Sequence, residues 1–506
     1  MRRGLLAAAL CCFAAGALAD SHHVVLLVWD GMRPDFVSER YTPTLNALAH
    51  DGVRFQNHHS IYCTATDVNG TALATGVYPN RSGIFANVEF RPQSNGRHGV
   101  DVGDLALAGA ADLHAPTFPE LLRAQGKRVA LAGTKSVATL FDQRDEWSIG
   151  KTREKGLTIF AAAPISTALS RQVTEMLGPF LVERDANSSQ RNAYVTRTLT
   201  DVLWRDGVPE FSLLWLSEPD LTEHNDAPGS PQALAAINTA DENLASVLRA
   251  LDQKHARDTT DVLVVSDHGF STIRRSIDVA KLLSDSGFRA FKELPESPKG
   301  GDILVIGDGG TVLFYVCEHD HETCARLVDW LQERDFAGTI FSRDSFAGTF
   351  PLSAIRIDTP HAADVVMAFR WSADNNQFGH PGLIDADWNR KPGQGTHATL
   401  SPFDVHATFI ASGPDFRRGF QDTAPTANID IAPTVFRLLG LDPKTQFDGR
   451  VVREALRENT EAPPKPITDT LTAKTRGAGG WQQWLKTSRV GDTTYFDAAL
   501  GGKSRD

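Results

Sequence analysis

Short apolar runs alternate along the chain with longer stretches of helical periodicity. Eight runs rich in Val, Ile, Leu and Phe are typical of buried strands. These runs are Val24–Trp29, Arg128–Ala132, Phe211–Leu216, Asp261–Val265, Ile303–Ile306, Thr311–Val316, Asp364–Phe369 and Val405–Ala411. Helices are predicted between several of them, at Thr44–Asp51, Phe118–Gln125 and Pro231–Leu251. This alternation predicts an α/β fold, with a mostly parallel central sheet flanked by helices on both faces.

Three regions interrupt the alternation. Residues 152–202 have mixed character and are predicted to form a helical insertion. Residues from about 274 to 394 are predicted to form a smaller inserted cap region within a main domain at 20–457. Residues 458–506 begin with a stretch rich in proline and charge, so they are interpreted as a linker and a C-terminal tail. The pattern leaves open whether this tail packs as a strand or is irregular.

The N-terminus has the pattern of a secretory signal peptide. Arg2 and Arg3 precede an apolar run and an A-x-A cleavage motif that ends at Ala19. The run is shorter than the roughly 20 residues that a membrane-spanning helix needs, and no later segment is apolar enough to cross a bilayer. Residues 1–19 are therefore predicted to be removed, leaving a secreted or periplasmic chain. Lipidation of a cysteine in the run is the alternative.

The overall composition is that of an ordinary globular protein. Of 506 residues, 41% are hydrophobic and 22% are charged, and the formal net charge is −11. The sequence has no basic stripe, which argues against a nucleic-acid duplex as partner. A small phosphate-bearing ligand is compatible with this acidity because bound cations reverse the local field. The oligomeric state is left open.

Three cysteines remain after the predicted cleavage, namely Cys63, Cys317 and Cys324. In an oxidising compartment, a disulfide between Cys317 and Cys324 is expected, because the first ends an apolar run and the second begins a helix-like one. Two unrelated reduced thiols are the alternative. Cys63 is interpreted as a small buried residue.

Three aspartates lie just past the carboxyl ends of apolar runs. Asp30 follows V-V-L-L-V-W, Asp220 follows F-S-L-L-W-L-S-E-P, and Asp267 follows D-V-L-V-V-S. Because ligands bind at this edge of open parallel sheets, the three carboxylates are expected to converge there. A helix cap would explain one such aspartate but not all three.

Histidines accompany these aspartates. His224 forms D-x-x-x-H with Asp220, His268 lies in S-D-H-G-F, and His397 lies in G-T-H. Carboxylates mixed with imidazoles are the ligand set that zinc accepts. Any one of these histidines alone is adequately explained as a hydrogen-bonded structural residue. The whole set predicts a metal centre.

A threonine supplies a candidate nucleophile. Thr66 precedes a helix-like stretch of small residues that ends at Gly76. A threonine at a helix N-terminus is usually only a cap. Beside a metal ion, however, its hydroxyl is activated for nucleophilic attack.

These residues belong to seven motifs that occur in a specific order between residue 24 and about residue 445. The motifs are W-D-G-M-R-P-D-F at Trp29–Phe36, T-x-x-N-x-x-x-x-x-T-G-x-x-P-x-x-x-G-I at Thr66–Ile84, E-P-D-x-x-x-H at Glu218–His224, S-D-H-G-F at Ser266–Phe270, G-x-H at Gly395–His397, I-A-S-G-P-D-F at Ile410–Phe416 and D-I-A-P-T at Asp430–Thr434. As a set they resemble the alkaline phosphatase superfamily and, within it, the type I phosphodiesterase/nucleotide pyrophosphatase branch.

The resemblance implies an alkaline phosphatase-like fold, two zinc ions per chain and a small phosphate ester as substrate. The implied zinc ligands are Asp220, His224 and His397 for one ion, and Asp30, Thr66, Asp267 and His268 for the other. Thr66 is implied to attack phosphorus, and water then releases the second product. Asn87 matches the family's asparagine that binds a phosphate oxygen.

Some positions depart from the family pattern. Ala398 follows His397 where the family usually has glycine, and Gly70 and Ser82 stand where nucleotide pyrophosphatases have histidines. These departures remove no ligand, but they weaken the expectation of a nucleotide substrate.

Lys135 is a second candidate for binding substrate phosphate. Related monoesterases carry a lysine and an arginine near this place, whereas here Lys135 remains and Val137 takes the expected arginine position. Arginine binds phosphate in a bidentate way that lysine does not reproduce, so a diester, with one charge fewer, is favoured. A solvated surface lysine is the alternative.

The expected function is hydrolysis of phosphodiester or phosphoanhydride bonds through a covalent phospho-threonine. The alternatives are a phosphomonoesterase, a phosphonoacetate-type phosphonate hydrolase and, in a different class, a non-catalytic binding protein on the same fold. A formylglycine sulfatase is excluded because the residues after Cys63 do not form C-x-P-x-R.

Overall fold

The structure is a computed structural model. It describes residues 22–91, 96–143, 148–150, 158–162, 168–181, 187–442, 446–459, 461–475 and 480–503. The predicted signal peptide at 1–19 lies outside these residues. None of the helices in the described ranges combines the length and the apolar character that crossing a bilayer requires.

Helices α1 to α13 within these ranges are Pro43–Asp51, Thr66–Thr75, Pro79–Ser82, Val102–Leu107, Phe118–Ala124, Ala168–Leu177, Ser188–Arg197, Asp220–Asp226, Pro231–Gln253, Val279–Asp285, His321–Gln332, Pro402–Val405 and Ile431–Leu438. Strands β1 to β26 are His23–Trp29, Val53–Phe55, His58–His59, Val88–Phe90, Gly99–Asp101, Val129–Gly133, Ser148–Gly150, Thr158–Ala162, Phe211–Leu216, Thr260–Val265, Ser271–Ser276, Ala290–Phe291, Ile303–Asp308, Thr311–Val316, Ala337–Ser342, Phe350–Pro351, Val365–Phe369, Trp371–Asn375, Pro381–Ala386, Gly395–Thr396, Phe409–Ser412, Phe420–Asp422, Thr426–Ala427, Ile467–Lys474, Trp481–Val490 and Thr493–Lys503.

A nine-stranded sheet forms the centre of the molecule, in the order β22-β2-β21-β10-β1-β9-β6-β8-β7. The four central strands, β10, β1, β9 and β6, are parallel. Antiparallel strands β21 and β8 flank them. The predicted α/β fold with a parallel core is therefore confirmed, and the sheet becomes mixed toward its edges.

The central strands are apolar on both faces because both faces are covered. In β1, Val24, Leu26 and Val28 belong to one hydrophobic cluster. Val25 and Leu27 point the other way, into a second cluster. This double burial explains why the strands read as continuous apolar runs rather than alternating ones.

One predicted strand is wrong in its first half. The run Val405–Ala411 was expected to be a single strand, but Val405 ends helix α12 and strand β21 starts only at Phe409. Ser401 initiates this helix, since its side chain accepts a hydrogen bond from the N–H of Phe403. An N-cap serine followed by proline was the local signal for a helix start.

Residues 274–394 contain helices α10 and α11 and most of two smaller sheets. One sheet has six strands in the order β12-β13-β14-β17-β15-β16, and the other has four in the order β18-β19-β11-β20. The turn between β13 and β14 reaches the edge of the central sheet. There the N–H of Gly310 donates to the carbonyl of His397 at 2.7 Å. Asp308 Oδ2 accepts a hydrogen bond from the N–H of Asn87 at 3.1 Å.

The C-terminal tail is folded rather than irregular. Strands β24, β25 and β26 form an antiparallel sheet. The last strand packs on the main body, where the N–H of Ala499 donates to the carbonyl of Leu400 at 3.0 Å. Asp497 Oδ1 lies 3.1 Å from Nε2 of the buried His59. The end of the chain is thus part of the same core.

The predicted disulfide is wrong, since Cys317 and Cys324 are both free thiols. Cys324 lies on α11 and points into the hydrophobic cluster that contains Leu327. Cys317 packs against a different cluster. Because the two side chains face different parts of the core, they do not meet. Cys63 is fully buried, as predicted.

Candidate metal centre and nucleophile

The three aspartates converge because their strands are neighbours. Asp30 follows β1, Asp220 begins the helix after β9, and Asp267 follows β10. In the sheet, β1 lies between β9 and β10. All three side chains are fully buried. Gly31, with a φ of +77°, permits this approach, because a Cβ atom there would lie 3.1 Å from the Cβ of Asp220.

Two groups of ligand atoms meet at this edge, and each group lies within 4.8 Å. The first contains Asp220, His268 and His397, and the second contains Asp30, Asp267 and His268. His224 adjoins the first group, with Nε2 3.2 Å from Asp220 Oδ1. All the expected ligands are therefore brought together. The resemblance assigns His268 to one metal ion only, whereas in the structure His268 belongs to both groups of ligand atoms.

The backbone orients the three imidazoles in the same way. Each Nδ1 lies within hydrogen-bond distance of a carbonyl oxygen, so each Nε2 is turned toward the carboxylates. The partners are Gly395 for His224 at 3.0 Å, Gly269 for His268 at 2.9 Å and Thr64 for His397 at 2.8 Å. The rings of His268 and His397 stack with centroids 3.6 Å apart. With Nδ1 donating, each Nε2 presents a lone pair.

Buried oxygens without hydrogen bonds test whether cations fit here. Asp220 Oδ1 and Asp267 Oδ2 accept no hydrogen bond from the described parts of the chain, and Asp30 Oδ1 has the ammonium of Lys135 2.9 Å away. Burial, reinforced by repulsion from Asp267, raises the pKa of Asp30 well above its ordinary value. Burying carboxylates without compensation is costly, and divalent cations are the natural compensation. The donor set and its electrostatics therefore fit metal ions.

Electrostatics also favour neutral imidazoles. Burial, together with the adjacent imidazoles of His268 and His224, lowers the pKa of His397 well below its ordinary value. Burial likewise lowers the pKa of His224, although Asp220 opposes the shift. A neutral imidazole is the form that binds a metal.

Lys135 lies inside this site and is not a solvated surface residue. Its Nζ is 2.6 Å from Asp220 Oδ2 and 2.9 Å from Asp30 Oδ1. Burial works against the ammonium charge, but the carboxylates of Asp220 and Asp30 outweigh it and raise the pKa of Lys135. The lysine thus adds a fixed positive charge beside the metal ligands.

Thr66 is the first residue of α2, and its hydroxyl faces the metal ligands. Thr66 Oγ1 lies 3.1 Å from Nε2 of His268. The free N–H groups at this helix N-terminus favour negative charge. The Thr66 hydroxyl therefore lies at the electropositive end of α2 and beside the imidazole of His268, which belongs to both ligand groups.

Asn87 is held beside the N-terminus of helix α2. Its Oδ1 accepts a hydrogen bond from the N–H of Asp67 at 2.8 Å, and its own N–H is bound by Asp308. The amide nitrogen Nδ2 donates to no residue that the structure describes. That N–H is therefore available to a ligand in the cleft.

Sequence reasoning missed two residues that support the site. Trp215 Nε1 donates to Asp30 Oδ2 at 2.8 Å, and Asp308 fixes Asn87. A tryptophan inside a predicted buried strand was a usable signal, because its N–H needs a partner. The contact of Asp308 spans 221 residues of sequence, and no local pattern indicates it.

The departures from the family pattern have structural consequences. Ala398 has a φ of +82°, in the left-handed region that glycine adopts without strain. Gly70 packs against Val137, and a Cβ at Gly70 would lie 2.2 Å from Val137 Cγ2. Val137 is itself buried in the hydrophobic core. A side chain at position 137 faces the core rather than the substrate. The absence of an arginine there is therefore weaker evidence for a diester substrate.

Comparisons with known proteins identify the family and support the fold. The sequence profile of the type I phosphodiesterase/nucleotide pyrophosphatase family matches residues 24–374. The chain belongs to this family.

Its relatives are distant in sequence. The chain is 24% identical over 427 residues to a venom phosphodiesterase of Macrovipera lebetinus, covering 83% of this chain but 43% of that protein. It therefore spans less than half the length of that relative. It is 22% identical over 485 residues to human ectonucleotide pyrophosphatase/phosphodiesterase family member 7, covering 91% of this chain and 90% of that protein.

Solved structures share the fold. Murine ectonucleotide pyrophosphatase/phosphodiesterase 5, in an inactive threonine-to-alanine form bound to AMP, superimposes with a TM-score of 0.59 at 16% identity. The match covers 86% of this chain and all of that one. The human protein of the same name gives the same TM-score.

Proposed function

We propose that this chain is a secreted hydrolase that cleaves phosphodiester or phosphoanhydride bonds, with Thr66 as nucleophile at a centre of two zinc ions. The observation that carries the proposal is the 3.1 Å approach of Thr66 Oγ1 to His268 Nε2. His268 is the residue that the two ligand groups share. A hydroxyl in that position adjoins both cation sites, as an in-line displacement at phosphorus requires.

The residues divide into two sets of metal ligands. Asp30, Asp267 and His268 would hold one zinc beside Thr66, and Asp220, His224 and His397 would hold the other. When bound, the ions would lower the pKa of the threonine hydroxyl and stabilise negative charge on the phosphoryl oxygens. The buried carboxylate oxygens that lack hydrogen bonds support this assignment.

The reaction then has two in-line steps. In the first, the Thr66 hydroxyl gives up its proton and its oxygen forms a bond to phosphorus, while the bond from phosphorus to the leaving oxygen breaks and that oxygen keeps the electron pair. In the second, water attacks the same phosphorus and gives up a proton, the bond to Thr66 breaks, and the threonine oxygen is reprotonated. Two inversions give overall retention of configuration at phosphorus.

Asn87 and Lys135 would bind the phosphoryl group during both steps. The N–H of Asn87 that has no partner in the described chain supports a hydrogen bond to one phosphoryl oxygen. Lys135 adds positive charge at the same edge, next to Asp30 and Asp220. The N–H groups at the start of α2 complete the anion site.

A small phosphate ester of the nucleotide type is the substrate class that we favour. Support comes from the AMP bound to the murine neighbour and from the names of the relatives as nucleotide pyrophosphatases and phosphodiesterases. The N-terminal sequence pattern supports a secreted or periplasmic location.

Chemical trapping tests the nucleophile. The zinc-loaded enzyme is quenched in acid during turnover of a labelled nucleotide diester, and the phosphorylated peptide is sequenced. We expect label on Thr66. Thr66→Ala should keep its zinc and lose most turnover, while Thr66→Ser should keep part of it. Label on Thr64, or full activity in Thr66→Ala, would refute the assignment. If the intermediate is too short-lived to trap, retention at phosphorus supports it and inversion refutes it.

A further inference from the structure

His22 lies at the amino end of the central sheet, just before β1, and carboxylates hold its imidazole from one side. Its Nε2 is 2.9 Å from Oδ2 of Asp261 and 3.3 Å from Oδ2 of Asp415. The side chain of Asp261 is fully buried, whereas that of His22 is 29% exposed. A ring nitrogen beside carboxylates carries the proton, so Nε2–H donates to Asp261 and Nδ1 keeps a lone pair.

Two nitrogens of His22 are left unused by the fold. Neither Nδ1 nor the backbone N–H makes a hydrogen bond to any residue that the structure describes. His23 differs, because it begins β1, is buried and has its Nδ1 2.9 Å from the carbonyl oxygen of Pro209. The sheet therefore holds the chain from His23 onward, and both nitrogens of His22 remain available to a ligand.

The predicted cleavage after Ala19 places these nitrogens in a specific order. The mature chain would then begin Asp20-Ser21-His22, with a free amino group and with histidine as the third residue. The amino nitrogen, the next two peptide nitrogens and Nδ1 of that histidine can close three fused chelate rings around one ion. Four nitrogens in one plane are a donor set for copper(II) and nickel(II), which favour square-planar coordination.

We propose that the mature amino-terminus is a copper(II) site, in which the amino group of Asp20, the backbone nitrogens of Ser21 and His22, and Nδ1 of His22 are the ligands. Copper(II) is preferred because it binds such donors more tightly than the other divalent first-row metals. Binding releases one proton from the terminal ammonium group and one from each of the two peptide N–H groups, and copper stays divalent. The inference rests on cleavage after Ala19 and not on the reaction proposed at Thr66.

The carboxylates beside His22 support this site without being its ligands. Both oxygens of Asp261 are occupied, one by the His22 ring and the other by the N–H of Asp415 at 3.2 Å. A carboxylate that holds the far nitrogen of a metal-binding imidazole fixes the tautomer and the orientation of the ring. Zinc binds imidazoles and carboxylates but does not displace peptide protons at neutral pH, so it would not fill this site.

The test uses the full-length protein, exported by its own leader and loaded with zinc. N-terminal sequencing identifies the first residue, and electron paramagnetic resonance follows the addition of one equivalent of copper(II). Metal analysis after desalting then counts both metals. We expect Asp20 as the first residue, one retained copper ion with hyperfine splitting from nitrogen ligands, and an unchanged zinc content. A different first residue, or no retained copper, would overturn the proposal.

Two variants separate the four nitrogens from the nearby carboxylates. Ser21→Pro removes the backbone N–H of residue 21, because proline has none. A glycine added before Asp20 moves His22 to the fourth position and changes no side chain. Both variants keep His22, Asp261 and Asp415, and both should lose the retained copper. Copper retained by either variant would mean that the carboxylates are the ligands, which would overturn the proposal.

Further variants test the imidazole and its orientation. His22→Gln should lose the retained copper, whereas His50→Gln, which removes an exposed histidine from α1, should keep it. Asp261→Asn should weaken copper binding by about 10-fold or more, because the ring loses the acceptor that fixes its tautomer. Unchanged affinity in Asp261→Asn would overturn that orienting role. Copper retained by His22→Gln, or lost from His50→Gln as well, would overturn the assignment of the site.

Turnover of a nucleotide ester separates this proposal from the proposed function. Ser21→Pro should leave turnover unchanged, because residue 21 lies at the opposite end of the strands from Thr66. An inactive wild-type enzyme that still retains copper would refute the proposed function and support the copper site. An active enzyme that retains no copper would do the reverse.

Discussion

Both ends of the central strands carry a cluster of histidine and aspartate, and the two clusters differ in one instructive way. At the amino end, His22, Asp261 and Asp415 bring ligand atoms within 4.8 Å of one another, as do the groups at the carboxyl end. At the amino end the carboxylate of Asp261 is satisfied. Its Oδ2 lies 2.9 Å from His22 Nε2, and its Oδ1 accepts from the N–H of Asp415.

The carboxyl end has the same residue types but leaves them unsatisfied. Asp220 and Asp267 each bury an oxygen that accepts no hydrogen bond within the described chain. The histidines there are oriented by backbone carbonyls through Nδ1, so that each Nε2 lies 3.2 to 3.6 Å from a carboxylate oxygen of the cluster. Residue type and proximity alone therefore do not identify a metal centre. Two features distinguish the carboxyl end. Some of its buried carboxylate oxygens accept no hydrogen bond within the described chain, and backbone carbonyls orient its imidazoles.

The largest expected difference between the two ends is in catalysis. Asp267→Asn should lower kcat/KM by about 10³-fold, because it removes charge that holds a cation against the transition state. Asp415→Asn removes a carboxylate from the amino-end cluster and should change kcat/KM less than about threefold. Steady-state kinetics on a p-nitrophenyl nucleotide ester measure both. Similar losses in the two variants would remove the distinction.

Metal content should separate the ends next. We expect two zinc ions per chain in wild type and in Asp415→Asn, and fewer in Asp267→Asn, because only the carboxyl end leaves ligands without other partners. Elemental analysis after zinc reconstitution and desalting gives the counts. A third tightly bound ion that is lost in Asp415→Asn would show that the amino end is also a metal site.

Acid should lower the free energy of unfolding through buried histidines of a third kind, which are neither candidate metal ligands nor ion-paired. Burial lowers the pKa values of His58 and His406 to about 3. Below pH 6.5, both histidines are therefore protonated in the unfolded chain but stay neutral in the folded chain. For each histidine, the free energy of unfolding should fall by about 1 kcal/mol between pH 6.5 and 5.5, and by about 1.4 kcal/mol per pH unit at lower pH until the folded-state pKa is approached.

Urea unfolding at pH 6.5 and 5.5 measures this effect, with chelator present so that loss of metal does not contribute. His58→Gln removes one titrating group and should reduce the difference between the two pH values by about 1 kcal/mol. An unchanged difference in the variant would mean that His58 does not remain neutral in the folded protein.

The smallest expected effect concerns the backbone next to His397. Ala398→Gly should raise the free energy of unfolding by up to about 1 kcal/mol, because it relieves a left-handed conformation. Ala411→Gly, in strand β21, is the matched control. It should destabilise the protein by about 1 kcal/mol, because glycine in a strand has more freedom to lose. Destabilisation by both substitutions would show that Ala398 is unstrained.

The parallel core and its ligands could be predicted because both depend on local signals. Strands β1, β9 and β10 are buried on both faces, so they appear as unbroken apolar runs. Each is followed within a few residues by a carboxylate. The parallel-sheet rule then places these ends at one edge without further information.

Features that depend on long-range packing could not be predicted in this way. The pairing of Cys317 with Cys324 seemed reasonable from spacing, yet the two side chains face different clusters. The sequence leaves open whether Lys135 binds substrate phosphate or is solvated at the surface, and only the fold shows it beside Asp30 and Asp220.

The packing of β26 determines when the molecule can finish folding during its synthesis. This strand ends at Lys503 and provides the partners of His59 and Leu400, in the interior of the main body. While β26 is still inside the ribosome, His59 and Leu400 lack these partners, so the nascent chain cannot close its core before that strand emerges.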